Sequence, residues 1–136
     1  MASGIDELLD AARAGLDRLS PEDALRAHQD GALLVDMRPY EQRARDGTIP
    51  GALIIDRNVL EWRLDPQCAY RLDAVTDYQQ HIILICNQGF SSSLAAATLQ
   101  QIGLRNATDV VGGFERWVRS GLPVTRPPSR GDASAG

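Results

Sequence analysis

The stretch HIILICNQGFSSSLAAATLQ, residues 81–100, changes character abruptly at its centre. Its apolar run, residues 82–85, predicts a buried β-strand, and the alanine-rich residues 94–102 have the spacing of a helix. Cys86 stands where the strand ends, and a polar turn that contains a glycine leads from it to the helix. A strand, a turn and a helix in this order are typical of one βα unit.

Other parts of the chain repeat this alternation. Short apolar runs at 32–36, 52–55 and 109–111 predict three more strands, and residues 17–19 predict a short edge strand. Helical segments lie between them, among them one that starts at the cap Ser20. The pattern predicts an α/β fold with a central, mostly parallel sheet of about five strands and helices on both faces. Ligands of such sheets bind beyond the carboxyl ends of the strands, so Cys86 should lie in that crevice.

Length, charge and cysteine content exclude several classes of function. The chain has 136 residues, 43% of them hydrophobic, and a net charge of -4. This length suits one domain, and the negative charge argues against nucleic acid as a partner. No apolar run is long enough to cross a bilayer, and the N-terminus lacks the basic start of a secretory signal, so we expect a cytoplasmic protein without a membrane partner. Its two cysteines form no disulfide framework and match no metal-ligand spacing, so we expect no metal and no other cofactor.

The turn after Cys86 is suited to holding an anion. The first N–H groups of a helix have no intrahelical acceptor, and they lie at the positive end of the helix dipole. A thiolate in that position is stabilised and becomes a nucleophile. Gly89 lets the backbone turn tightly, and Ser91, Ser92 and Ser93 can cap the helix and offer hydroxyls. The simpler interpretation is that Cys86 is a small apolar residue that completes a buried strand.

Several kinds of cysteine chemistry lack a required partner. A cysteine–histidine hydrolase needs a base close by, but His81 is five residues upstream along the strand and His28 falls in another element. A phosphatase of the Cys-x5-Arg type needs a guanidinium where this chain has Ser92. A redox dithiol needs a neighbouring thiol, and Cys68 is not in a Cys-x-x-Cys arrangement. Attack on sulfane sulfur, which stores it as Cys–S–S⁻, requires no side-chain base.

Three segments resemble the rhodanese (thiosulfate sulfurtransferase) family in its single-domain form. They are LLVDMRPYEQRARDGTIPGAL with its Asp-x-Arg and Ile-Pro-Gly-Ala, LICNQGFSSSLAA as the active-site loop, and VVGGFERWVRSGLPV with its Gly-Gly-aromatic turn. The resemblance covers residues 19–124. It implies that Cys86 is the sulfur-accepting nucleophile and that the amides of residues 87–91 line the pocket. The predicted substrate-binding residues are Asn87, Gln88, Gly89, Phe90, Ser91, Ser92 and Arg57.

Two departures from the family pattern stand out. Thiosulfate-active members often carry Arg or Lys in the loop, whereas the five residues that follow Cys86 here are uncharged, which predicts weak use of free thiosulfate. Arg57, directly after a strand-ending aspartate, could supply the missing charge or could be a solvated surface residue. Thr48 replaces a common histidine before the Ile-Pro-Gly-Ala turn, a change expected to be structural. Asp36 and Arg38 are expected to form an ion pair that supports the first segment.

The expected organisation is an N-terminal helical extension (1–16), a rhodanese-like domain (17–125) and a flexible tail (126–136). The partners expected are a small sulfane-sulfur donor or a persulfidated protein, and a thiol or cyanide-like acceptor. The alternative is a rhodanese-like module that binds or regulates without catalysis and leaves its thiol idle.

Overall fold

Four parallel strands form the centre of the molecule, in a computed structural model that describes residues 4–126. They lie in the order β2-β1-β3-β4 and are all paired in parallel. The strands are β1 (Leu33–Asp36), β2 (Leu53–Ile54), β3 (Ile82–Ile85) and β4 (Ala107–Asp109). Their carboxyl ends therefore meet at one edge, where Cys86 follows β3.

Within residues 4–126, six α-helices connect and cover the strands. They are α1 (Ile5–Ala14), α2 (Pro21–Gln29), α3 (Tyr40–Asp46), α4 (Leu60–Leu64), α5 (Ser91–Gln101) and α6 (Gly113–Arg119), with a 3-10 helix at Arg57–Val59 before α4. The predicted cap of α2 is confirmed, because the Ser20 hydroxyl accepts a hydrogen bond from the Asp23 amide at 3.1 Å. Within residues 4–126, no helix is both long enough and apolar enough to cross a bilayer.

Strand β3 separates two hydrophobic cores. Ile82 and Leu84 face a cluster that includes Leu60 of α4 and Leu99 of α5, whereas Ile83 and Ile85 face a second cluster. The second cluster is built with side chains of α2 and α6. All four side chains of β3 are fully buried, each worth about 1.5–3 kcal/mol of burial free energy. The helices thus cover both faces, which fixes β3 and the residue after it.

In the part of the chain that the structure describes, the sheet has four strands where the sequence predicted about five. Residues 17–19 do not form a strand, because Leu19 alone bridges to Val110. Its amide donates to the Asp109 carbonyl at 3.0 Å, and its carbonyl accepts from the Val111 amide at 2.9 Å. The edge pairing is therefore one residue long. This bridge occupies residues 110 and 111, and β4 ends at Asp109 instead of running from 109 to 111.

The N-terminal helix packs against α5, with Leu9 buried. The proposed boundaries of the extension at residue 16 and of the domain at residue 125 remain predictions. Apart from Arg126, the expected tail (126–136) lies outside the described residues.

Candidate functional site

Cys86 lies at the carboxyl end of β3 with its sulfur surrounded by donors. The residue is 6% exposed. Its Sγ accepts hydrogen bonds from the amides of Gly89 at 3.2 Å and Ser92 at 3.4 Å. The Ser92 hydroxyl is also 3.2 Å from Sγ. The loop thus wraps around one sulfur atom, and two backbone N–H groups and the start of α5 favour a negative charge there.

Hydrogen bonds from the start of α6 hold two backbone carbonyls of the active-site loop. The amides of Phe114 and Glu115, at the start of α6, donate to the carbonyls of Cys86 at 2.8 Å and Asn87 at 3.0 Å. A trans peptide places its N–H opposite its C=O. The N–H groups of Asn87 and Gln88 therefore point away from α6. Residues 86–88 thus present donors on one side and carbonyls on the other.

Close contact between two glycine turns makes this arrangement possible. Gly89 and Gly113 have φ angles of 87° and 61°, in the region that favours glycine. A Cβ on Gly113 would lie 2.6 Å from the Cys86 carbonyl oxygen, and a Cβ on Gly89 would lie 2.9 Å from the Gly112 nitrogen. Any larger residue at either place would force the two turns apart.

A buried carboxylate lies behind the start of α5. Asp109 is fully buried, and its Oδ2 accepts from the hydroxyls of Ser92 and Ser93, both at 2.7 Å. Arg18 donates through Nε to Oδ1 at 2.8 Å and through Nη2 to Oδ2 at 3.2 Å. A buried charge needs such a partner and several donors. Sequence reasoning missed Asp109 and Arg18 as neighbours of the site.

Two guanidinium groups meet at one loop carbonyl. Arg13 and Arg18 both donate through Nη2 to the Gly89 oxygen, at 2.7 and 3.0 Å. Arg13 also donates to the Ser93 hydroxyl at 3.0 Å, and its guanidinium lies 5.7 Å from the centroid of the Phe90 ring. One signal could have revealed Arg13: it is four residues after Leu9, on the buried side of α1.

The thiol opens onto a cavity of about 230 Å³. A cavity of about 530 Å³ between α1 and α5 is larger, but neither a cysteine nor a charged side chain lines it, so chemistry and not size selects the site. The lining residues of the Cys86 cavity are Met37, Arg38, Pro39, Gln42, Cys86, Asn87, Gln88, Phe90 and Ser91.

The structure brings most of the sequence-predicted site residues together. Those of the loop either line the cavity or, like Gly89 and Ser92, donate to the sulfur. Arg57 is not among the lining residues, and it forms a partly exposed ion pair with Glu61 at 2.7 Å. Its role in binding substrate stays a prediction.

Asp36 and Arg38 form a fully buried ion pair. Arg38 donates through Nη2 to Asp36 Oδ2 at 2.8 Å and to the Gly47 carbonyl at 2.7 Å. Its guanidinium carbon lies 3.6 Å from the centroid of the Phe114 ring, in cation–π geometry. The pair thus ties the loop after β1 to the turn before β2 and to α6.

Other groups in the described part of the chain do not add to the site. Cys68 is half-buried in the loop after α4, where its sulfur accepts from the Tyr70 amide at 3.4 Å. Among residues 4–126, no three histidine, cysteine, aspartate or glutamate side chains come together as a metal site would require.

Comparisons with known proteins add the family context. The family model described as a Rhodanese-like domain matches residues 20–120. A thiosulfate sulfurtransferase GlpE from Haemophilus influenzae is 30% identical over 106 residues, which cover 78% of this chain and 91% of the relative. The GlpE of Pseudomonas entomophila is 37% identical over 107 residues, with 78% and 87% covered.

Solved structures show the same architecture. A protein of unknown function from Rhodopseudomonas palustris, described as a possible tyrosine phosphatase, superimposes with a TM-score of 0.82 at 33% identity, covering 92% of this chain and 96% of that one. A polysulfide-sulfur transferase homodimer from Wolinella succinogenes gives a TM-score of 0.70 at 20% identity, with 91% and 88% covered. At that identity the second likeness concerns the fold alone.

Proposed function

Because this chain belongs to the rhodanese family and is a rhodanese-like sulfurtransferase, we propose that Cys86 accepts sulfane sulfur as a persulfide and passes it to a thiophilic acceptor. The observation that carries the proposal is the position of Sγ, which accepts from the Gly89 and Ser92 amides at the start of α5. Donors that stabilise a thiolate also suit the anionic Cys–S–S⁻ that replaces it.

The reaction is a pair of displacements at sulfur. The Cys86 thiolate attacks the outer sulfur of the donor, a new S–S bond forms, and the bonding pair of the broken bond leaves with the donor remnant, which is sulfite when the donor is thiosulfate. A thiolate or cyanide then attacks the terminal sulfur of the persulfide. It takes that sulfur and returns the Cys86 thiolate, so no external oxidant or reductant is consumed.

The loop backbone supplies the binding groups for both states. The amides of Asn87 and Gln88 face away from α6 because their peptide carbonyls are held there. A terminal persulfide sulfur in the adjoining cavity can accept from such donors. No side-chain base is needed, since the nucleophile reacts as the thiolate.

The donor that fits this site carries little charge or is itself a protein persulfide. The cavity has Phe90 at its wall, and none of the five residues that follow Cys86 is charged. Arg38 also lines the cavity, but its charge is already paired with Asp36. Thiosulfate carries two negative charges, which need compensation in a partly desolvated site. We therefore expect weak thiosulfate:cyanide activity compared with transfer from a less charged sulfane donor.

A phosphatase is the second candidate, raised by the description of the Rhodopseudomonas palustris protein. Ser92 occupies the place of the phosphate-clamping arginine, and its hydroxyl is bound to Asp109. The guanidinium that would clamp a phosphate is therefore absent from this place in the loop. Hydrolysis of an aryl phosphate that disappears in Cys86→Ser would favour the phosphatase over the sulfurtransferase.

Mass spectrometry of the intact protein tests the proposal. After incubation with polysulfide, the wild type should gain one sulfur atom that cyanide or a thiol removes. Cys68→Ser is the matched control and should behave as the wild type, whereas Cys86→Ser should gain no transferable sulfur. An unloaded wild type would instead support a non-catalytic binding module.

A further inference from the structure

A network of charged side chains holds the active-site loop from outside the cavity. Arg13 and Arg18 donate to the Gly89 carbonyl at 2.7 and 3.0 Å, and Arg18 forms a salt bridge with the buried Asp109 at 2.8 Å. None of the three lines the Cys86 cavity. Both arginines also precede the family match, which begins at residue 20.

We propose that Arg13, Arg18 and Asp109 are positioning residues that orient the loop and set the charge state of Cys86. The segment before the family match, which holds both arginines, is then part of the functional site. This inference deepens the proposed function, but only the sulfur-transfer arm of its test rests on that function.

The first link runs through the Gly89 carbonyl. This oxygen belongs to the same planar peptide as the Phe90 N–H, which points the opposite way. Two guanidinium groups on the oxygen fix the plane of that peptide. They also polarise it, which makes the N–H of Phe90, a residue that lines the Cys86 cavity, a stronger donor. Removing one guanidinium should weaken both effects.

The second link runs through the Ser92 hydroxyl, which has one proton to donate. Its oxygen is 2.7 Å from Asp109 Oδ2 and 3.2 Å from Cys86 Sγ. While the thiol is protonated, Ser92 donates to Asp109 and accepts the S–H. Once the thiol has lost its proton to solvent, the hydroxyl can turn and donate to the sulfur anion. Asp109 then retains the Ser93 hydroxyl and Arg18, and no proton moves onto it.

The three charges act on the thiolate with opposite signs. Arg13 and Arg18 favour it, and Asp109 opposes it through the Ser92 oxygen that lies between them. Two other charged sites surround the cavity. The Asp36–Arg38 pair approaches from β1, and Glu115 of α6 accepts from Gln88 at 3.4 Å. Both are unchanged in the variants below, so they cannot account for a difference.

The test is the rate of Cys86 alkylation by iodoacetamide as a function of pH, in a Cys68→Ser background. Arg13→Gln should slow alkylation at neutral pH by about threefold to tenfold, as expected for the loss of one partly screened charge. It should also move the midpoint of the profile to higher pH. Arg13→Lys should restore much of the rate, because it keeps the charge.

The matched control is Arg105→Gln. Arg105 precedes β4 and therefore lies at the opposite end of the sheet from Cys86, so its loss changes the net charge equally without touching the site.

Asp109→Asn should move the midpoint to lower pH, opposite to Arg13→Gln. A structural loosening of the loop would move both variants in the same direction.

Every outcome of these measurements either supports or overturns the inference. Equal profiles for Arg13→Gln and Arg105→Gln, or shifts of Arg13→Gln and Asp109→Asn with the same sign, would overturn the inference. If Asp109→Asn does not fold, the comparison of Arg13→Gln, Arg13→Lys and Arg105→Gln still settles it. Persulfide loading is measured separately on the same proteins. If the alkylation profiles shift as expected but the wild type gains no sulfur, the proposed function is refuted and this inference stands.

Discussion

Two aspartates end strands β1 and β4 of the same sheet, and each is fully buried against an arginine. Asp36 ends β1 and pairs with Arg38, two residues further along. Asp109 ends β4 and pairs with Arg18, which is 91 residues away in sequence. The first pair holds backbone that surrounds the cavity, whereas the second reaches the nucleophile through the Ser92 hydroxyl.

The difference lies in what else each carboxylate binds. Asp36 accepts from the amide and the guanidinium of Arg38, so one residue supplies both. Asp109 accepts from Arg18, Ser92 and Ser93, and Ser92 is in turn next to Cys86 Sγ. We propose that the local pair serves stability and that the non-local pair couples stability to reactivity.

The largest effect should come from breaking the local pair. Arg38→Met leaves the Asp36 carboxylate buried without its cation, which should lower the free energy of unfolding by about 3–5 kcal/mol. Urea unfolding followed by circular dichroism measures this. The double variant Asp36→Asn/Arg38→Met should recover part of the loss, because no buried charge is left unpaired. A loss below that of Arg18→Met would contradict the comparison.

Breaking the non-local pair should cost less. The Arg18 side chain is 17% exposed, and Asp109 keeps the hydroxyls of Ser92 and Ser93. We expect Arg18→Met to lower the free energy of unfolding by about 1–3 kcal/mol. It should also slow Cys86 alkylation, which the same urea series and an iodoacetamide assay can record together. Full stability with unchanged alkylation would remove the distinction between the pairs.

A cation placed at the cavity wall should act on substrate binding, unlike Arg13 and Arg18, which bind the loop from outside the cavity. Asn87→Arg adds a guanidinium at the cavity wall, and one charge-assisted contact of about 1.5 kcal/mol should lower the KM for thiosulfate by roughly tenfold. Arg57→Ala should raise that KM less, because Glu61 partly neutralises the guanidinium. Steady-state kinetics measure both variants. Efficient turnover in the wild type, unaffected by either change, would show that loop charge is irrelevant.

The smallest effect concerns a third aspartate, Asp65, which lies outside both cores. Tyr78 donates to it at 2.6 Å, and this hydrogen bond raises the pKa of Tyr78 above its ordinary value of 10.0. The bond stabilises the fold fully below pH 10 and is lost as the pH rises through the raised pKa. Tyr78→Phe should therefore be slightly less stable at pH 8, and the difference should shrink at high pH. A constant difference in urea midpoints would argue against the bond.

Local patterns made much of the fold predictable. The run 82–85 and the turn after Cys86 identify a βα unit, and Asp-x-Arg identifies the first ion pair, because the interacting residues are close in sequence. The edge strand at 17–19 was wrong because one bridge, Leu19 to Val110, satisfies that backbone without a ladder. Arg13 and Arg18 could not be placed beside Gly89, since their contacts depend on how α1 packs against α5.

The contact between the Gly89 and Gly113 turns has a consequence for engineering. Because the backbone of each turn occupies the space where the other would need a side chain, we expect residues 86–92 and 111–114 to be transplantable only together. In a chimera that receives only the cysteine loop of a relative, the turn at residues 111–114 would not fit the new loop. Grafting both segments together should preserve the donor arrangement, and with it the freedom to vary the residues at the loop tip.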